Sequence, residues 1–438
     1  MLNQGVITLT APFLNFGVSL ALNPETALAA FGAAFSLTII FNSLVFTSLK
    51  LYNSLLKDKN SFVTILGIYM SIACAASLIF IGLAATEAGH LVFTRWFNLS
   101  PGAAGHSREW MLWVSPVPLL VAFRCALQGV TTVYRKTMNT AVGTFLRMGT
   151  ALVAVIVLIR IFPHRPGMAS GAAFSLAILV EVVYLFWRTR KMLAFSRPTS
   201  VAPYDFDLSV PYVLRYSFPL WLSSLAWTGS FPLVNFFIAQ TQNPEAGLAG
   251  FSILRAVNVC LNSPLPSMVT VVVILGNRAT ISRLKIMGTG IALVLTLISA
   301  GLVFTPMGRD LLSDIFNLRG VALEWSAQAL IFFIFTPALF LARFFLEGRF
   351  MRLKQTRAMG LAGIMRLFIM AGAGLMITSW QSGINGVWLG MTLMTLASVS
   401  DAGITALAFY LGPGQRSRTR AQDPVAETKD REEQAIDG

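Results

Sequence analysis

The chain has 438 residues, of which 55% are hydrophobic and only 12% are charged. A soluble domain carries roughly 25% charged residues, so this composition excludes an ordinary soluble domain and indicates a membrane protein. The formal net charge of +14 at pH 7 raises the alternative of nucleic-acid binding. That alternative depends on where along the chain the positive charges fall.

Long apolar runs recur along the whole chain, and a run of about 20 residues lets a helix cross a hydrocarbon core. The sequence shows no period-2 alternation of the kind that is typical of a membrane barrel. We therefore predict an all-α polytopic membrane protein. In chain order its twelve transmembrane helices are expected near residues 5–22, 26–48, 62–85, 110–133, 138–160, 168–188, 213–239, 246–275, 287–306, 324–346, 358–378 and 384–411.

The first part of the chain recurs later at a constant offset of 220 residues. Residues 12–43 and 232–263 are identical at 11 of 32 aligned positions, where chance would give roughly two. Matches farther along, at an offset of 219, are Arg124 with Arg343, Arg147 with Arg366, Gly167 with Gly386 and Gly171 with Gly390. We infer two parallel six-helix repeats, related by a pseudo-twofold axis along the membrane normal as in many transporters.

The repeat divides the chain into an N-terminal six-helix lobe at 1–188 and a C-terminal six-helix lobe at 213–411. Between them, residues 189–212 combine three prolines with mixed charge, which indicates a cytoplasmic linker. Residues 412–438 are polar and charged, and we expect a disordered cytoplasmic tail.

The positive charges are distributed unevenly between the two sides of the predicted bundle. With the N-terminus placed in the cytoplasm, the cytoplasmic loops hold 17 Lys and Arg and the opposite loops hold 6. This bias is the positive-inside rule, and it predicts a multi-pass protein of the cell inner (plasma) membrane with both termini cytoplasmic. The basic surface then faces anionic lipid headgroups of the bilayer, and we expect no nucleic-acid partner.

Charged residues inside membrane helices are costly, roughly 2.5–3.5 kcal/mol for an arginine at mid-depth on insertion scales. Five arginines lie in the apolar segments: Arg124, Arg147, Arg255, Arg343 and Arg366. Arg255 has no counterpart in the repeat, because Phe35 occupies the matching position. The excess of positive charge suits a small anionic substrate.

Two acids, Glu181 and Asp401, occupy nearly corresponding positions, 220 residues apart, and are candidates for coupling transport to an ion. The four repeated arginines have two interpretations. They can bind substrate, or they can neutralise these acids, with Arg124 and Arg147 around Glu181 and the C-terminal pair around Asp401. For Arg255 we favour a substrate role, because it is deep and lacks a partner in the sequence.

Polar side chains in the first two helices of each repeat are the remaining candidates for substrate binding: Asn15, Asn42, Asn235, Asn262 and Trp227. Buried asparagines also commonly bond a neighbouring helix, so a structural role stays open. Pro264 and Pro266 are expected to kink the eighth helix. The Asn-Pro-Glu sequences at 23–25 and 243–245 are expected to cap helices at the outer surface.

The sequence contains no Walker loop, no HExxH motif and no cluster of metal ligands. We therefore expect no enzymatic activity, no metal and no cofactor.

Several short motifs carry a resemblance that covers most of the chain. They are Asn15-Phe16-Gly17, Phe31–Leu37, Pro219-Leu220, Pro232–Phe237, Leu353–Thr356 leading to Arg366, and Gly386–Gly390. Together they resemble the multidrug and toxin extrusion (MATE)/oligosaccharidyl-lipid flippase superfamily, and within it the progressive ankylosis (ANK) protein family. The resemblance implies a two-lobed alternating-access transporter that exports small polyanions such as pyrophosphate, nucleotide or citrate.

The leading hypothesis is a monomeric secondary transporter that exports a small organic or phosphorylated anion. The alternatives are a flippase for a lipid-linked oligosaccharide, a cation/drug antiporter, and a membrane scaffold. A scaffold is expected to have an interface between lobes that is packed with large apolar residues.

Overall fold

The computed structural model describes residues 10–56, 58–134, 136–194, 209–275, 278–352, 356–380 and 383–411. Within these ranges every regular element is a helix. Most of the predicted linker and all of the predicted tail lie outside the described residues. Below, the N-terminal half means the described residues 10–189 and the C-terminal half means residues 210–411.

In the N-terminal half the described helices are α1 Thr10–Val18, α2 Pro24–Phe46, α3 Ser48–Leu55, α4 Lys59–Ala85, α5 Glu87–Leu91, a π-helical turn Val92–Trp96, α6 Pro101–Val114, α7 Val117–Val133, α8 Thr137–Ile161 and α9 Pro166–Thr189.

The C-terminal half repeats this order. Its described helices are α10 Val210–Thr228, α11 Ser230–Ile238, α12 Pro244–Leu261, α13 Ser267–Leu275, α14 Arg278–Phe304, α15 Met307–Asp310, a π-helical turn Leu311–Ile315, α16 Gly320–Ala329, a 3₁₀ turn Leu330–Ile334, α17 Thr336–Arg352, α18 Thr356–Trp380 and α19 Gly386–Leu411.

The two Asn-Pro-Glu sequences begin α2 and α12, as predicted. Each helix has proline at its first position and a glutamate in its first turn, where the fixed proline φ and the helix dipole favour them. Asn23 and Asn243 hold the N-cap positions, but neither side chain makes a capping hydrogen bond. The predicted helix starts are therefore confirmed, but the predicted capping by the asparagine side chains is wrong. We call this side of the bundle the Asn-Pro-Glu end.

Several predicted membrane segments are broken. The eighth segment is interrupted between Leu261 and Ser267, a stretch that contains Pro264 and Pro266, because proline removes a backbone donor. The fourth and tenth segments each consist of two helices, bent by 42° between α6 and α7 and by 48° before α17.

Among the described residues, seven helices are long and apolar enough to cross a membrane, and up to nine spans result if each bent pair is one span. Each of the twelve predicted segments contains described helix, but the number of crossings and the cytoplasmic position of the termini stay predictions. Large apolar side chains such as Leu78, Phe368 and Trp380 are exposed on the helices. A soluble protein rarely presents so much apolar surface, whereas a lipid bilayer covers it.

The repeated glycines let helices approach closely. A Cβ at Gly167 would collide with the backbone of His106 in α6, and a Cβ at Gly390 would lie 2.6 Å from the ring of Phe251 in α12. Small residues are the usual means of close packing between membrane helices.

We expect Gly167→Ala to lower the melting temperature of the detergent-purified protein, because the rigid backbone of α6 leaves no room for a methyl group. Overpacking of this kind costs about 1–3 kcal/mol. Gly149→Ala in α8 is the control, since its Cβ would meet nothing within 4 Å and alanine favours a helix. Equal melting temperatures for the two variants would contradict the close approach.

Candidate functional site

The two halves meet along α2 and α12, where residues related by the repeat face each other. Asn235 Nδ2 donates a hydrogen bond of 3.1 Å to the carbonyl of Gly32. Ser252, the counterpart of Gly32, donates one of 3.0 Å to Oδ1 of Asn15, the counterpart of Asn235. The two bonds are therefore pseudo-symmetric, and they join the halves on both sides of the twofold axis.

A second symmetric pair of bonds lies nearer the Asn-Pro-Glu end. After each π-helical turn, Asn98 and Asn317 adopt left-handed backbone conformations with φ of 45° and 50°, which asparagine tolerates better than most residues. Asn98 Nδ2 donates to the carbonyl of Ala239 at 3.2 Å, and Asn317 Nδ2 donates to the carbonyl of Ser19 at 3.3 Å. Each asparagine thus bonds the last turn of the opposite half's first segment.

Glu245 adds an unsymmetrical connection at the same end. Its carboxylate accepts hydrogen bonds from Thr26 Oγ1 at 3.2 Å and from the backbone N–H of Ser100 at 2.9 Å. Both donors belong to the N-terminal half. Between the Asn-Pro-Glu end and the level of Gly32, the two halves are in direct contact, and we call this region the closed end. Beyond it the halves also bond each other, because Ser224 Oγ donates to the carbonyl of Ser43 at 3.2 Å and Tyr69 donates to Ser217 Oγ at 3.1 Å.

Arg255 lies at the inner limit of the closed end, about 16 Å along α12 from its start. Its guanidinium lies 5.5 Å from the ring centroid of Phe35 and 4.9 Å from that of Phe231. Phe35 is the repeat counterpart of Arg255, and two counterparts that contact each other lie on the pseudo-twofold axis. Arg255 is 7% exposed, its Nη1 has no hydrogen-bond partner, and no described carboxylate lies within 4.0 Å of it.

Four residues form a compact polar cluster in the N-terminal half. Arg124 and Arg147 each place Nη1 3.4 Å from Oε2 of Glu181. Gln128 Nε2 donates to Oε1 of the same carboxylate at 2.9 Å. All three charged side chains are at most 4% exposed. We call this group the N-terminal cluster, and its structural pairing matches one of the two interpretations of the sequence.

The C-terminal cluster repeats this arrangement with Arg343, Arg366 and Asp401. Arg366 Nη1 lies 2.8 Å and Arg343 Nε lies 3.4 Å from Oδ2 of Asp401. Arg366 also donates to the carbonyl of Ala226. This cluster borders a cavity of about 50 Å³, and Arg343 is 15% exposed.

An aromatic chain connects the C-terminal cluster to the axis. The guanidinium carbons of Arg343 and Arg366 lie 3.3 and 4.5 Å from the ring centroid of Trp227. Trp227 contacts Phe231 edge-on at 6.3 Å, and Phe231 in turn contacts Arg255. Guanidinium groups are attracted to aromatic faces, most strongly when they are desolvated.

Asn42 and Asn262 lie away from these contacts. Asn42 Nδ2 donates to the carbonyl of Thr38 in its own helix, and Asn262 Nδ2 bonds the carbonyl and side chain of Asn258 and the hydroxyl of Thr336. The Oδ1 atoms of Asn42 and Asn262 are both buried without a partner.

The predicted residues therefore divide into groups. Asn15 and Asn235 join the halves, Arg255 lies on the axis, and the repeated arginines surround Glu181 or Asp401. Sequence reasoning missed Asn98, Asn317, Gln128, Ser252 and Phe231. The two missed asparagines recur at an offset of 219 and could have been found by extending the repeat, whereas Phe231 matches Ala11 and gave no such signal. Among the described residues no group of His, Cys, Asp and Glu could hold a metal ion.

Solved structures with the same fold are transporters. The chain matches an inward-facing multidrug resistance MATE family transporter of the MOP superfamily with a TM-score of 0.69 at 15% identity, covering 95% of this chain and 96% of the other. It matches the MATE multidrug transporter DinF-BH, solved in complex with a ligand, with a TM-score of 0.65 at 16% identity over 94% and 93%.

A third match is a MOP superfamily transporter from Pyrococcus furiosus. Its TM-score is 0.54 at 14% identity over 96% of each chain, and a reversed polarity of its binding pocket is said to suggest a different function. No protein-family model and no curated protein matches the sequence. The chain has the fold of MATE transporters, and the ANK relationship stays a prediction.

We expect Glu181→Gln to destabilise the protein by about 3–5 kcal/mol, because it leaves two buried guanidinium groups without their carboxylate. Thermal unfolding in detergent measures the change. The control is Glu109→Gln, which removes the ion pair between Glu109 and Arg165. Arg165 Nε lies 2.9 Å from the Glu109 carboxylate, and the Arg165 side chain is 60% exposed. An exposed pair contributes about 0–1 kcal/mol, and a Glu181 variant as stable as this control would show that the N-terminal cluster is not structural.

Proposed function

We propose that this protein is a secondary transporter that exports a small organic or phosphorylated anion of the pyrophosphate, nucleotide or citrate class. It works by alternating access between lobes at 1–188 and 213–411, in the inner membrane and with both termini in the cytoplasm. The shared fold with MATE transporters supports the transport class, and the resemblance to the progressive ankylosis family supports the substrate class. Glu181 and Asp401 remain the candidates for ion coupling.

Arg255 is the observation that carries the anion proposal. A buried guanidinium without a counter-ion costs free energy, in contrast to the arginines that are paired with Glu181 and Asp401. Its position on the twofold axis is where a substrate would contact both lobes. A transported anion would supply the missing negative charge and a partner for Nη1.

The closed end supports alternating access. Apart from the two bonds that Glu245 accepts, its bonds between the halves are made by single asparagine and serine side chains, on both sides of the axis. Such bonds can break together when the lobes rotate apart, and they require no change inside either lobe. The two halves also share one buried apolar core, which includes Phe31 and Phe251, so packing at this interface is compatible with the scaffold alternative as well.

A cation or drug antiporter is the second candidate. The cavity beside Asp401 also holds Glu347 and Trp227, and one solved structure of the same fold is that of a multidrug transporter. Carboxylates and an indole ring can attract an organic cation. A flippase for a lipid-linked oligosaccharide would use the same arginines to hold its pyrophosphate.

We expect purified protein in proteoliposomes to release labelled pyrophosphate, ATP or citrate faster than protein-free vesicles, with a neutral sugar retained. Arg255→Met should reduce this efflux at least tenfold, because methionine keeps an unbranched chain but loses the charge. Its melting temperature should be equal to or above that of wild type, since removal of an unpaired buried charge does not cost stability.

Arg160→Ala is the matched control, because this arginine is exposed at the end of α8, and its efflux should equal that of wild type. Ethidium, an organic cation, is tested in the same vesicles. Transport of ethidium without any anion would favour the drug antiporter. No efflux of any soluble probe from folded protein would refute the anion exporter and favour a lipid-linked substrate.

We expect the double variant Gly32→Cys/Ser252→Cys to form a disulfide that stops transport and is reversed by reductant. A Cβ at Gly32 would lie 3.1 Å from Cβ of Ser252, so a small shift reaches the roughly 3.5–4.5 Å of a disulfide. The bond would lock the closed end. The two single variants, which keep the free thiols of Cys74, Cys125 and Cys260, should be insensitive to oxidant. Full transport by the cross-linked protein would contradict alternating access at this end.

A further inference from the structure

The two arginine clusters differ at one position of the repeat. Gln128 in the N-terminal cluster corresponds to Glu347 in the C-terminal half, at the offset of 219. Gln128 is neutral and donates to Glu181, so two guanidinium groups share one carboxylate. Glu347 lines the cavity together with Arg343, Arg366 and Asp401, so two guanidinium groups there face two carboxylates, and the formal charges cancel.

The C-terminal cluster alone combines this charge balance with a cavity. The cavity is also lined by Trp227 and Thr405, and it measures about 50 Å³. A cavity of about 10–15 Å³ holds one water, so this space is large enough for the charged head of a ligand. A larger anion would have to extend from it.

Two of the arginines that line this cavity have unused donors. Arg343 Nη1 and Arg366 Nε are buried and have no hydrogen-bond partner, and Arg366 is only 2% exposed. Guanidinium groups bind carboxylate and phosphate by short charge-assisted hydrogen bonds. Unpartnered donors also occur in the N-terminal cluster, at Arg124 and Arg147. What distinguishes the C-terminal donors is that Arg343 and Arg366 line a described cavity, which a carboxylate or phosphoryl group could enter.

The aromatic chain leads from this cavity to Arg255 in the C-terminal half only. At an offset of 220, the counterparts of Trp227, Phe231 and Arg255 are Ile7, Ala11 and Phe35. The first repeat thus lacks the indole, the first phenyl ring and the axial guanidinium. The C-terminal half thus places three guanidinium groups, those of Arg343, Arg366 and Arg255, along one aromatic chain.

We propose that the C-terminal half alone receives the transported anion, at the cavity of Arg343, Arg366 and Trp227, and that Glu347 sets how tightly the anion is held. This inference rests on the proposed anion transport. Glu347 repels the bound anion and competes with it for the guanidinium groups, so the anion can leave for Arg255. A transport pathway needs sites that bind strongly enough to load and weakly enough to release.

Glu347→Gln tests the inference, because it should change the KM and the maximal rate of pyrophosphate efflux in different ways. Removal of one negative charge beside the anion should lower the KM for pyrophosphate efflux about tenfold and lower the maximal rate, because release becomes slow. Glu324→Gln is the control, since it removes a charge from the same half at an exposed pair with Arg309, and it should leave both parameters unchanged.

Arg343→Lys is a second variant in case Glu347→Gln fails to fold. It keeps the charge but loses the planar donors, and it should raise the KM at least tenfold. Efflux with an unchanged KM in both variants would overturn the inference while the anion exporter stands.

A binding measurement separates the two proposals further. Pyrophosphate added to detergent-purified protein should quench tryptophan fluorescence in wild type and not in Trp227→Phe. Quenching that persists in Trp227→Phe would overturn the C-terminal site. If wild type shows neither fluorescence quenching nor efflux of any anion, the proposed function is refuted together with the site.

Discussion

The cost of a buried charge in a membrane interior governs the arrangement of this protein. Arg124 and Arg147 share one carboxylate, as do Arg343 and Arg366, because a guanidinium in hydrocarbon needs a counter-ion or substantial hydrogen bonding. These shared carboxylates join three consecutive helices in each half, α7, α8 and α9 in one and α17, α18 and α19 in the other. Among the described buried arginines, Arg255 is the one without a carboxylate partner. Because an unpaired buried charge is so costly, we look for function at this residue.

The pseudo-twofold axis determines where that exception lies. Residues that match in the repeat meet across the axis, as Gly32 does with Ser252 and Phe35 with Arg255. An internal repeat supplies every contact between the halves twice, and the paired asparagine bonds of the closed end follow this symmetry. A substrate is rarely symmetric, however. The replacement of Phe35 by Arg255 and of Gln128 by Glu347 breaks the symmetry at the positions where a ligand would be recognised.

Much of this arrangement could be predicted from the repeat. The pairing of the four repeated arginines with Glu181 and Asp401 was one of two sequence interpretations, because equal offsets place matching residues at equal depths in matching helices. Offsets do not reveal which side of a helix faces the other half. For this reason the sequence left both a substrate role and a structural role open for Asn235 and Asn262. In the structure the amide of Asn235 bonds the carbonyl of Gly32, and Asn262 bonds Asn258 and Thr336.

The sequence by itself determined the membrane class, the helical segments, the internal repeat and the identity of the buried charges, since these follow from hydropathy, periodicity and the cost of charge in lipid. Only the tertiary structure decided that Arg255 lies against Phe35 on the axis, that Phe231 and Trp227 lie between it and a cavity, and which side chains join the two halves. Those facts depend on helix rotation and on contacts between residues more than 100 positions apart, as with Trp227 and Arg343. Local sequence patterns do not encode such contacts, because many rotations of an apolar helix bury similar surface.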